Sequence, residues 1–262
     1  MADAERSVQK QFAKNPEKYR DERLFSSGTD LKQMIDALPL TGREKVLDIG
    51  SGAGHTALAF APFVKQCIGL DLTEDMVRVA TDLARDRRAE NVSFRQGNAE
   101  QLPFQDASFD IVTCRFAAHH FADVRQVMRE VKRVLKTKGI FLLVDHYAPE
   151  DEVLDAFINE LDRMRDPSHV REYSLSEWER LFAENGFTYE KIYQWDLPIH
   201  FSRWIERAGT PPNMEKKIVS FLQTATPLCK DTFKIELDAS GDPLSFCLKA
   251  VLLQGMKQEK TQ

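Results

Sequence analysis

Short apolar runs alternate with amphipathic stretches along the chain from Lys45 onward. The runs cover 45–49, 66–71, 92–97, 109–114 and 140–146, and they read KVLDI, QCIGLD, VSFRQG, FDIVTC and IFLLVDH. Each stretch between two runs is long enough for a helix. This alternation predicts a parallel sheet with right-handed crossovers, whose near-continuous apolar strands are buried on both faces.

Helical periodicity and a cap residue mark two of the intervening stretches. Apolar residues recur at helical spacing between the fourth and fifth runs, at Val124, Val127, Met128, Val131, Val134 and Leu135. This spacing predicts a helix with one apolar face. Thr73 is the predicted N-cap of the helix after the second run, with Glu74 and Asp75 in its first turn, where the helix dipole favours negative charge.

The alternation ends after about residue 150, and the remaining chain follows another pattern. The segment SLSEWERLFAENGF predicts a helix that stops at Gly186, and FTYEKIYQW predicts a strand after it. Residues 197–230 contain four prolines and are expected to be irregular. TFKIEL, the turn DASGDP and SFCLKAVLLQG predict a closing antiparallel hairpin. The expected fold is a Rossmann-like, doubly wound α/β sheet with helical cover segments.

Composition and charge narrow the class of protein. The chain is 42% hydrophobic and 29% charged, which is typical of a globular domain. Its net charge of −5 disfavours nucleic-acid binding, which usually needs a basic excess. No apolar stretch reaches the about 18 residues of a membrane span, and the first residues lack a signal-peptide core. Without CxxC spacing, Cys67 and Cys114 are expected to be buried free thiols, so we expect a cytoplasmic protein.

The first apolar run leads into a glycine-rich loop, VLDIGSGAGHTA. Glycines let the backbone turn tightly and approach a ligand, and the next helix directs its amides toward that ligand. The dinucleotide fingerprint has glycine where this chain has His55, and Asp48 would face the ligand with negative charge. Asp71, at the end of the second run, can accept both hydroxyls of a ribose. These features predict a nucleoside ligand with a ribose diol and a cationic, phosphate-free tail, although either aspartate alone could cap a turn or helix.

Four successive segments resemble the motifs of class I S-adenosylmethionine-dependent methyltransferases. They read VLDIGSGAGHTA, GLDLTEDM, QGNAEQLPF and FDIVTCRFAAHHF, and they span roughly residues 40–147 in order and spacing. The likeness is to the small-molecule branch that includes the ubiquinone and menaquinone biosynthesis methyltransferases. RDPSHVREYSLSEWERLFAENGF is similar to the downstream part of a little-characterised bacterial subgroup.

This resemblance implies S-adenosylmethionine as the cofactor. Its methionine part would lie by Asp48 and the first two glycines, its ribose by Asp71 and its adenine beside Leu72. The family usually has an acidic residue for the adenine amino group where this chain has Asn98, whose amide oxygen can still accept a hydrogen bond. The expected cofactor-binding residues are Asp48, Gly50, Ser51, Gly52, Asp71, Leu72, Asn98, Ala99, Glu100 and Arg115.

Adjacent histidines in FAAHHF follow the fourth strand, and a third histidine ends the fifth. Ligands bind at the carboxyl ends of strands in such sheets, so these residues should rim the methyl group. A histidine suits removal of a proton from an acceptor. His120 is the first candidate for a catalytic base, with His119 and His146 as alternates, and we expect at most one of the adjacent pair to face the acceptor. No HxH or HxxxH spacing is present, so no metal is expected.

The predicted function is methyl transfer from S-adenosylmethionine to an oxygen, nitrogen or carbon atom of a small molecule. A single domain over 1–262 would comprise a helical cover at 1–40, the cofactor-binding core at 41–147, and substrate-side insertions with closing strands at 148–262. Within these, 1–40, 148–175 and 197–230 would cover the strand ends. His169 and Arg171 could meet an anionic acceptor group or belong to a loop tied by salt bridges.

Several alternatives stay open. A cofactor-binding sensor or accessory protein without turnover would use the same motifs, whereas a nicotinamide dehydrogenase lacks support because its third glycine is missing. Base methylation is disfavoured because no Pro-Pro-aromatic motif follows the fourth strand. Beyond the small-molecule acceptor we expect neither nucleic acid nor a membrane span as a partner, and a homodimer stays open.

Overall fold

The computed structural model describes residues 2–258, which form an eight-stranded sheet flanked by helices. The strands are β1 (Lys45–Ile49), β2 (Gln66–Asp71), β3 (Val92–Gln96), β4 (Phe109–Arg115), β5 (Leu135–His146), β6 (Glu190–His200), β7 (Glu236–Leu237) and β8 (Pro243–Met256). The helices are α1 (Ala2–Phe12), α2 (Pro16–Asp21), α3 (Arg23–Ser26), α4 (Thr29–Asp36), α5 (His55–Phe60), α6 (Glu74–Asp86), α7 (Val124–Val134), α8 (Glu152–Arg165), α9 (Leu175–Glu184), α10 (Phe201–Ala208), α11 (Pro212–Gln223) and α12 (Pro227–Thr232).

The strand order is β3-β2-β1-β4-β5-β8-β6, and β7 pairs with β8 beside this path. β1 to β5 run parallel, and β8 lies antiparallel to both β5 and β6. The predicted fold class is therefore confirmed, including the antiparallel closing hairpin. The order reverses between β1 and β4, which places the topological switch point, the usual position of a ligand in such sheets, at their carboxyl ends.

Both faces of the sheet are buried, as the apolar strands predicted. On one face Val131 of α7 packs with Trp178 and Phe182 of α9, and on the other Met34 packs with Phe60. Successive residues of β5 alternate between these two clusters because side chains alternate across a strand. Full burial of one such side chain stabilises the fold by about 1.5–3 kcal/mol. Cys67 and Cys114 are buried free thiols, as expected.

Helix ends follow the sequence signals in one case and depart from them in another. α9 begins with a capping box between Ser174 and Glu177, and Gly186, with φ +69°, lies just beyond its end. Thr73 is the N-cap residue of α6, but its side chain makes no capping hydrogen bond. Instead, the Asp71 carboxylate accepts a hydrogen bond from the Thr73 backbone N–H at 2.9 Å. The expected Thr73 cap is thus replaced by the carboxylate that ends β2.

The prediction that Leu135 belongs to the helix is wrong by one residue. α7 ends at Val134, and Leu135 starts β5 by pairing with Phe109 of β4. The pairing register shifts between Phe109 and Ile111, so the bulge lets the chain turn directly from helix to strand. The strand pairing with Phe109, 26 residues earlier in the chain, therefore overrides the helical periodicity at Leu135.

The prediction of an irregular segment at 197–230 is also wrong. β6 continues to His200, and α10, α11 and most of α12 occupy the rest of this segment. Trp204 and Ile218 are buried there with Phe157 of α8 in a third apolar cluster. The prolines did not signal disorder, because Pro212 and Pro227 occupy first-turn helix positions, where a missing N–H costs nothing.

None of the helices within residues 2–258 is long and apolar enough to cross a membrane. The proposed internal boundaries at 1–40, 41–147 and 148–262 stay a prediction. In the structure α1 to α4 precede β1, whereas α8 and α10 to α12 form the third apolar cluster together with β6 and β8. Of these helices, α1, α2, α3, α8 and α10 supply residues that line the cavities at the strand ends.

Candidate active site

Two neighbouring cavities open at the carboxyl ends of β1, β2, β4 and β5. The large cavity has an empty volume of about 1070 Å³ and is lined by the glycine loop, the ends of β2 and β3, and α1. The small cavity, of about 530 Å³, is lined by residues that include Arg165, Asp166, His146 and Arg207. Some residues line both cavities, namely Phe12, Tyr19, Phe25, Phe116 and His120.

The large cavity collects all the expected cofactor-binding residues except Asp48. Gly50 and Gly52 have φ values of +63° and +50°, a region that non-glycine residues rarely adopt. A Cβ on Gly50 would lie 2.5 Å from the Cβ of Ala117, so the loop passes close to the residues after β4. A Cβ on Gly52 would meet no atom within 4 Å, so the space beside this glycine is open.

Asp71 holds the glycine loop and also lines the large cavity. Its Oδ2 accepts a hydrogen bond from the Gly52 N–H at 2.7 Å, and its Oδ1 accepts one from the Thr73 N–H. Burial raises the pKa of Asp71, although these backbone hydrogen bonds oppose the rise. A carboxylate has about four lone-pair sites, so the capping role leaves acceptor capacity for ligand hydroxyl groups.

Asp48 lies beneath the loop and not in the cavity wall. It is 1% exposed, and its Oδ1 accepts a hydrogen bond from the Thr113 hydroxyl at 2.8 Å. Burial raises its pKa to about 7. Its Oδ2, the Ser51 hydroxyl and both ring nitrogens of His55 find no hydrogen-bond partner within residues 2–258. These unpaired polar atoms around the loop fit a ligand tail that carries both donors and acceptors, as an amino-acid group does.

α1 closes the large cavity over the ends of β2 and β3. The Asn98 side-chain amide donates to Glu5 Oε1 at 3.0 Å and accepts from the Glu100 N–H at 2.8 Å. The Gln9 amide donates to the Leu72 carbonyl at 3.1 Å. Glu5 therefore brings a carboxylate beside the position where the resembled family has an acidic residue. The sequence reasoning missed Glu5, and the only available signal was that Val8 and Phe12 mark one apolar face of α1.

Arg115 lines the large cavity, but its guanidinium is occupied by the cover helices. It forms a buried ion pair with Asp30 and donates to the carbonyls of Phe25 and Leu24 at 3.0 and 3.1 Å. The structure thus places Arg115 as the link between the end of β4 and residues 24–30. A direct contact of Arg115 with a cofactor stays a prediction.

His119 is buried and fixed by a carboxylate. Its Nδ1 lies 2.6 Å from Asp145 Oδ1, and its backbone N–H donates to the other oxygen of the same carboxylate. Burial lowers the pKa of His119 well below its usual value, and neighbouring His120 and His146 lower it further. The His119 carbonyl accepts a hydrogen bond from the Val170 N–H.

His120 lines both cavities, whereas His119 and His146 line only the small one. The His120 ring meets the Phe12 ring edge-on at 5.0 Å, and its Nδ1 lies 3.1 Å from the Ser168 carbonyl. The Ser168 hydroxyl also lies 3.2 Å from Nδ1 but donates its proton to Asp166 Oδ1, and a carbonyl can only accept. In the neutral ring, Nδ1 therefore carries the proton and Nε2 the lone pair. His146 Nδ1 lies 3.2 Å from Glu172 Oε1. Of the three predicted candidates, His120 alone lies where the cavities meet.

Acidic residues surround His146. Among residues 2–258, the potential ligand atoms of His119, Asp145 and His146, and those of His146, Asp162 and Glu172, lie within 4.8 Å of one another. Burial raises the pKa of Glu172 to about 8, and burial together with Glu172 raises that of Asp162 well above its usual value. Shared protons can satisfy such a pair without an ion. The absence of a metal stays a prediction.

Arg171 shows the second of its two predicted roles, whereas His169 is buried, makes no salt bridge within residues 2–258 and lines the small cavity. Arg171 forms salt bridges with Asp155 at 2.9 Å and with Glu177 at 2.8 Å. His169 Nε2 lies 3.1 Å from Asn159 Oδ1. The arginines that line the small cavity are instead Arg165 and Arg207, which the sequence reasoning missed because nothing near them in sequence marks a site.

This chain is similar to known methyltransferases over most of its length. The family described as "Methyltransferase domain" matches residues 47–143. An uncharacterised methyltransferase of Bacillus subtilis, YcgJ, is 58% identical over 247 residues, which cover 94% of this chain and 98% of that one. The chain therefore belongs to the methyltransferase family, and it is an enzyme of the S-adenosylmethionine-dependent class.

Further relatives agree with this assignment. The crystal structure of a putative methyltransferase from Bacillus halodurans has a TM-score of 0.85 and 37% identity, covering 88% of this chain and 100% of that one. A demethylmenaquinone methyltransferase of Thermotoga maritima is 35% identical over 133 residues, which cover 48% of this chain and 56% of that protein. The resemblance to the ubiquinone and menaquinone branch, seen in the sequence motifs, is confirmed.

Proposed function

We propose that this chain transfers a methyl group from S-adenosylmethionine in the large cavity to an oxygen, nitrogen or carbon atom of a small molecule in the small cavity. The observation that carries this proposal is the shared wall of Phe12, Tyr19, Phe25, Phe116 and His120. Because these side chains line both cavities, a group held in one lies next to a group held in the other.

The large cavity suits the cofactor at each end. Gly50, Ser51 and Gly52 would hold the methionine part, above the unpaired Asp48 oxygen. Asp71 would accept the ribose hydroxyls, and Asn98 would face the adenine with Leu72, Ala99 and Glu100 nearby. When bound, the cofactor supplies a methyl group activated by a positively charged sulfur.

The residues of the shared wall would act by alignment and exclusion of water. Methyl transfer is an in-line displacement, so the holding of two reactants in contact supplies much of the rate. The rings of Phe12, Phe25 and Phe116 keep water from the junction of the cavities. In the neutral ring of His120, Nδ1 donates to the Ser168 carbonyl, and Nε2 would accept the proton of the acceptor. His119, the preceding residue, and His146, at the end of the neighbouring strand β5, are the alternate candidates for this base.

A single-turnover experiment tests this function. Tritiated S-adenosylmethionine is mixed with a host metabolite extract and wild-type protein, His120→Ala or His200→Ala, in which an exposed histidine serves as the control. We expect His120→Ala to lower label transfer by about 10²–10⁴-fold while the calorimetric affinity for S-adenosylhomocysteine is kept. The control should match the wild type.

Two outcomes would count against the proposal. Binding of S-adenosylhomocysteine without labelled product from any fraction of the extract would contradict transfer to a small molecule and would favour the sensor or accessory alternative. Unchanged single-turnover labelling by His120→Ala would remove the catalytic role of His120.

A further inference from the structure

The small cavity contains three hydrogen-bond donors that lack partners. The Tyr19 hydroxyl, Arg165 Nη2 and Arg207 Nε are buried and make no hydrogen bond within residues 2–258. Tyr19 is 9% exposed and Arg207 is 7% exposed, and both line the cavity with Arg165. Buried donors in folded proteins are almost always paired. Three unpaired donors in one cavity indicate a ligand that brings acceptor oxygens.

Both arginines are held in place by their other contacts. Arg165 Nε donates to the Trp204 carbonyl at 3.2 Å, and its guanidinium lies 5.1 Å from the centre of the Trp204 ring. Arg207 Nη1 donates to Glu22 at 2.9 Å, and its guanidinium lies 5.1 Å from the centre of the Phe25 ring. Each guanidinium is therefore fixed before a ligand arrives and keeps an N–H group free, which favours binding without loss of side-chain freedom.

Two guanidinium groups and two carboxylates lie at or beside the small cavity. Burial, followed by the proximity of Arg165, lowers the pKa of Arg207 to about 10, so the two buried guanidinium groups repel each other. Glu22 accepts a hydrogen bond from Arg207 Nη1, and Asp166 Oδ2 lies 3.9 Å from Arg165 Nη1 without a hydrogen-bond partner within residues 2–258, while its Oδ1 accepts hydrogen bonds from Ser168. An anion would therefore bind through the unpaired N–H and O–H groups and not through an excess of positive charge. Asp162 also lines the cavity, but its raised pKa favours the uncharged acid.

The rest of the wall is apolar and largely aromatic. Phe12, Phe25, Phe116 and Trp204 line the cavity, and the Phe25 and Phe116 rings meet at 6.0 Å. We propose that the methyl acceptor is an apolar carboxylic acid of the benzoate class that carries a hydroxyl group on its ring, with its carboxylate on Tyr19, Arg165 and Arg207 and its ring among these side chains. The ring oxygen, not the carboxylate, would gain the methyl group as the bond from the methyl carbon to sulfur breaks, and the hydroxyl proton would pass to His120. A guanidinium matches a carboxylate with two parallel hydrogen bonds. This assignment rests on the proposed function, since it takes the small cavity as the acceptor site.

Benzoate serves as the probe and benzamide as its neutral counterpart. Protein saturated with S-adenosylhomocysteine is titrated with each compound, and binding is followed by tryptophan fluorescence and calorimetry. We expect benzoate to bind at least about tenfold more tightly than benzamide, because only the carboxylate forms charge-assisted hydrogen bonds with both arginines. It should bind in addition to S-adenosylhomocysteine, without displacing it.

Two substitutions and a matched control locate the binding site. Tyr19→Phe removes only the hydroxyl group, and Arg165→Gln removes the charge, so both should weaken benzoate binding by about tenfold or more. Arg163→Gln, two residues away on the exposed face of α8, should leave it unchanged. Thermal unfolding of each variant verifies that the fold is kept, and Tyr19→Phe remains informative if Arg165→Gln does not fold.

The outcomes separate this inference from the proposed function. If S-adenosylhomocysteine binds but benzoate binds no better than benzamide, or displaces S-adenosylhomocysteine, the carboxylate site is wrong while the proposed function stands. Equal weakening by Arg163→Gln would also overturn the site. If S-adenosylhomocysteine fails to bind while the free protein still binds benzoate more tightly than benzamide, the proposed function is wrong and the carboxylate site stands without its role as the acceptor site.

Discussion

The large and small cavities lie side by side but are built in different ways. Most polar groups of the large cavity lie in backbone turns or directly follow β1, β2 and β3, so the ends of these strands mark their positions in the sequence. The small cavity is formed by side chains from α1, α2, α3, α8 and α10, from the loop after β4 and from β5, β6 and β8. A backbone-built site serves one constant ligand, whereas a side-chain-built site can change its ligand through substitutions on separate helices.

Arg115 lines the large cavity and joins it to the cover helices through Asp30. Of the predictions made for single residues, its replacement should lower stability most. Arg115→Met leaves Asp30 buried without its partner, so we expect the free energy of unfolding to fall by about 3–5 kcal/mol. Chemical denaturation measures this loss, and Arg78→Met, which removes an exposed pair, is the control. The double variant Arg115→Met, Asp30→Leu should recover part of the loss. Normal stability with lost S-adenosylhomocysteine binding would instead favour a direct cofactor contact.

Replacement of Asp71 shows how far cofactor binding in the large cavity depends on a single carboxylate. Asp71→Asn removes the charge that holds the Gly52 and Thr73 amides and one of the acceptors offered to the ribose. We expect the affinity for S-adenosylhomocysteine to fall by about tenfold to a hundredfold, measured by calorimetry. Benzoate binding in the small cavity should be little affected. Asp82→Asn, which alters an exposed pair on α6, is the control, and an equal effect in both variants would contradict the assignment.

Asp48, which lies beneath the large cavity, should make the free energy of unfolding depend on pH. Its pKa rises from 3.8 to about 7 on burial, so the folded state binds a proton more strongly than the unfolded state between these values. Its contribution to stability is therefore full below the unfolded pKa and is lost as pH rises toward about 7. Asp48→Asn should thus gain about 2 kcal/mol relative to wild type between about pH 5.5 and about pH 7.5.

Other groups titrate in the same range, which is why the difference between Asp48→Asn and wild type is the quantity to measure. The pKa of His55 is lowered by burial to about 4, and this contributes stability that falls as pH drops below the unfolded value of 6.5. The same substitution should weaken S-adenosylhomocysteine binding, because the loss of a negative charge removes attraction to an ammonium group. A gain that is independent of pH would contradict the raised pKa.

Treatment with a chelator should change ligand binding least, because no bound metal is predicted. Chelator-washed protein should contain no stoichiometric zinc, iron or manganese, and its benzoate affinity should match that of untreated protein. The small cavity would then depend on side chains alone. Stoichiometric metal that is lost in Glu172→Gln would instead assign the group His146, Asp162 and Glu172 as ligands and would correct the prediction.

Local patterns were enough to predict the sheet and the large cavity. Every strand of the parallel core was placed from its apolar run, and the loop glycines with Asp71 were placed from spacing alone. The two wrong predictions, for Leu135 and for 197–230, concern residues whose secondary structure depends on partners distant in the sequence. Leu135 left its helix because Phe109 offered a strand pairing, and 197–230 folded into helices because Trp204 and Ile218 found buried neighbours around α8.

The sequence by itself determined the fold class, the glycine loop and the position of the histidine pair, because these depend on contiguous residues and on strand periodicity. Only the tertiary structure decided that Arg115 binds Asp30, that Glu5 reaches Asn98 and that His120 lies between two cavities. It also brought Tyr19, Arg165 and Arg207 together as unpaired donors. The physical reason is that hydrogen bonds and burial depend on distance in space, which residues far apart in the chain reach only when the cover helices pack.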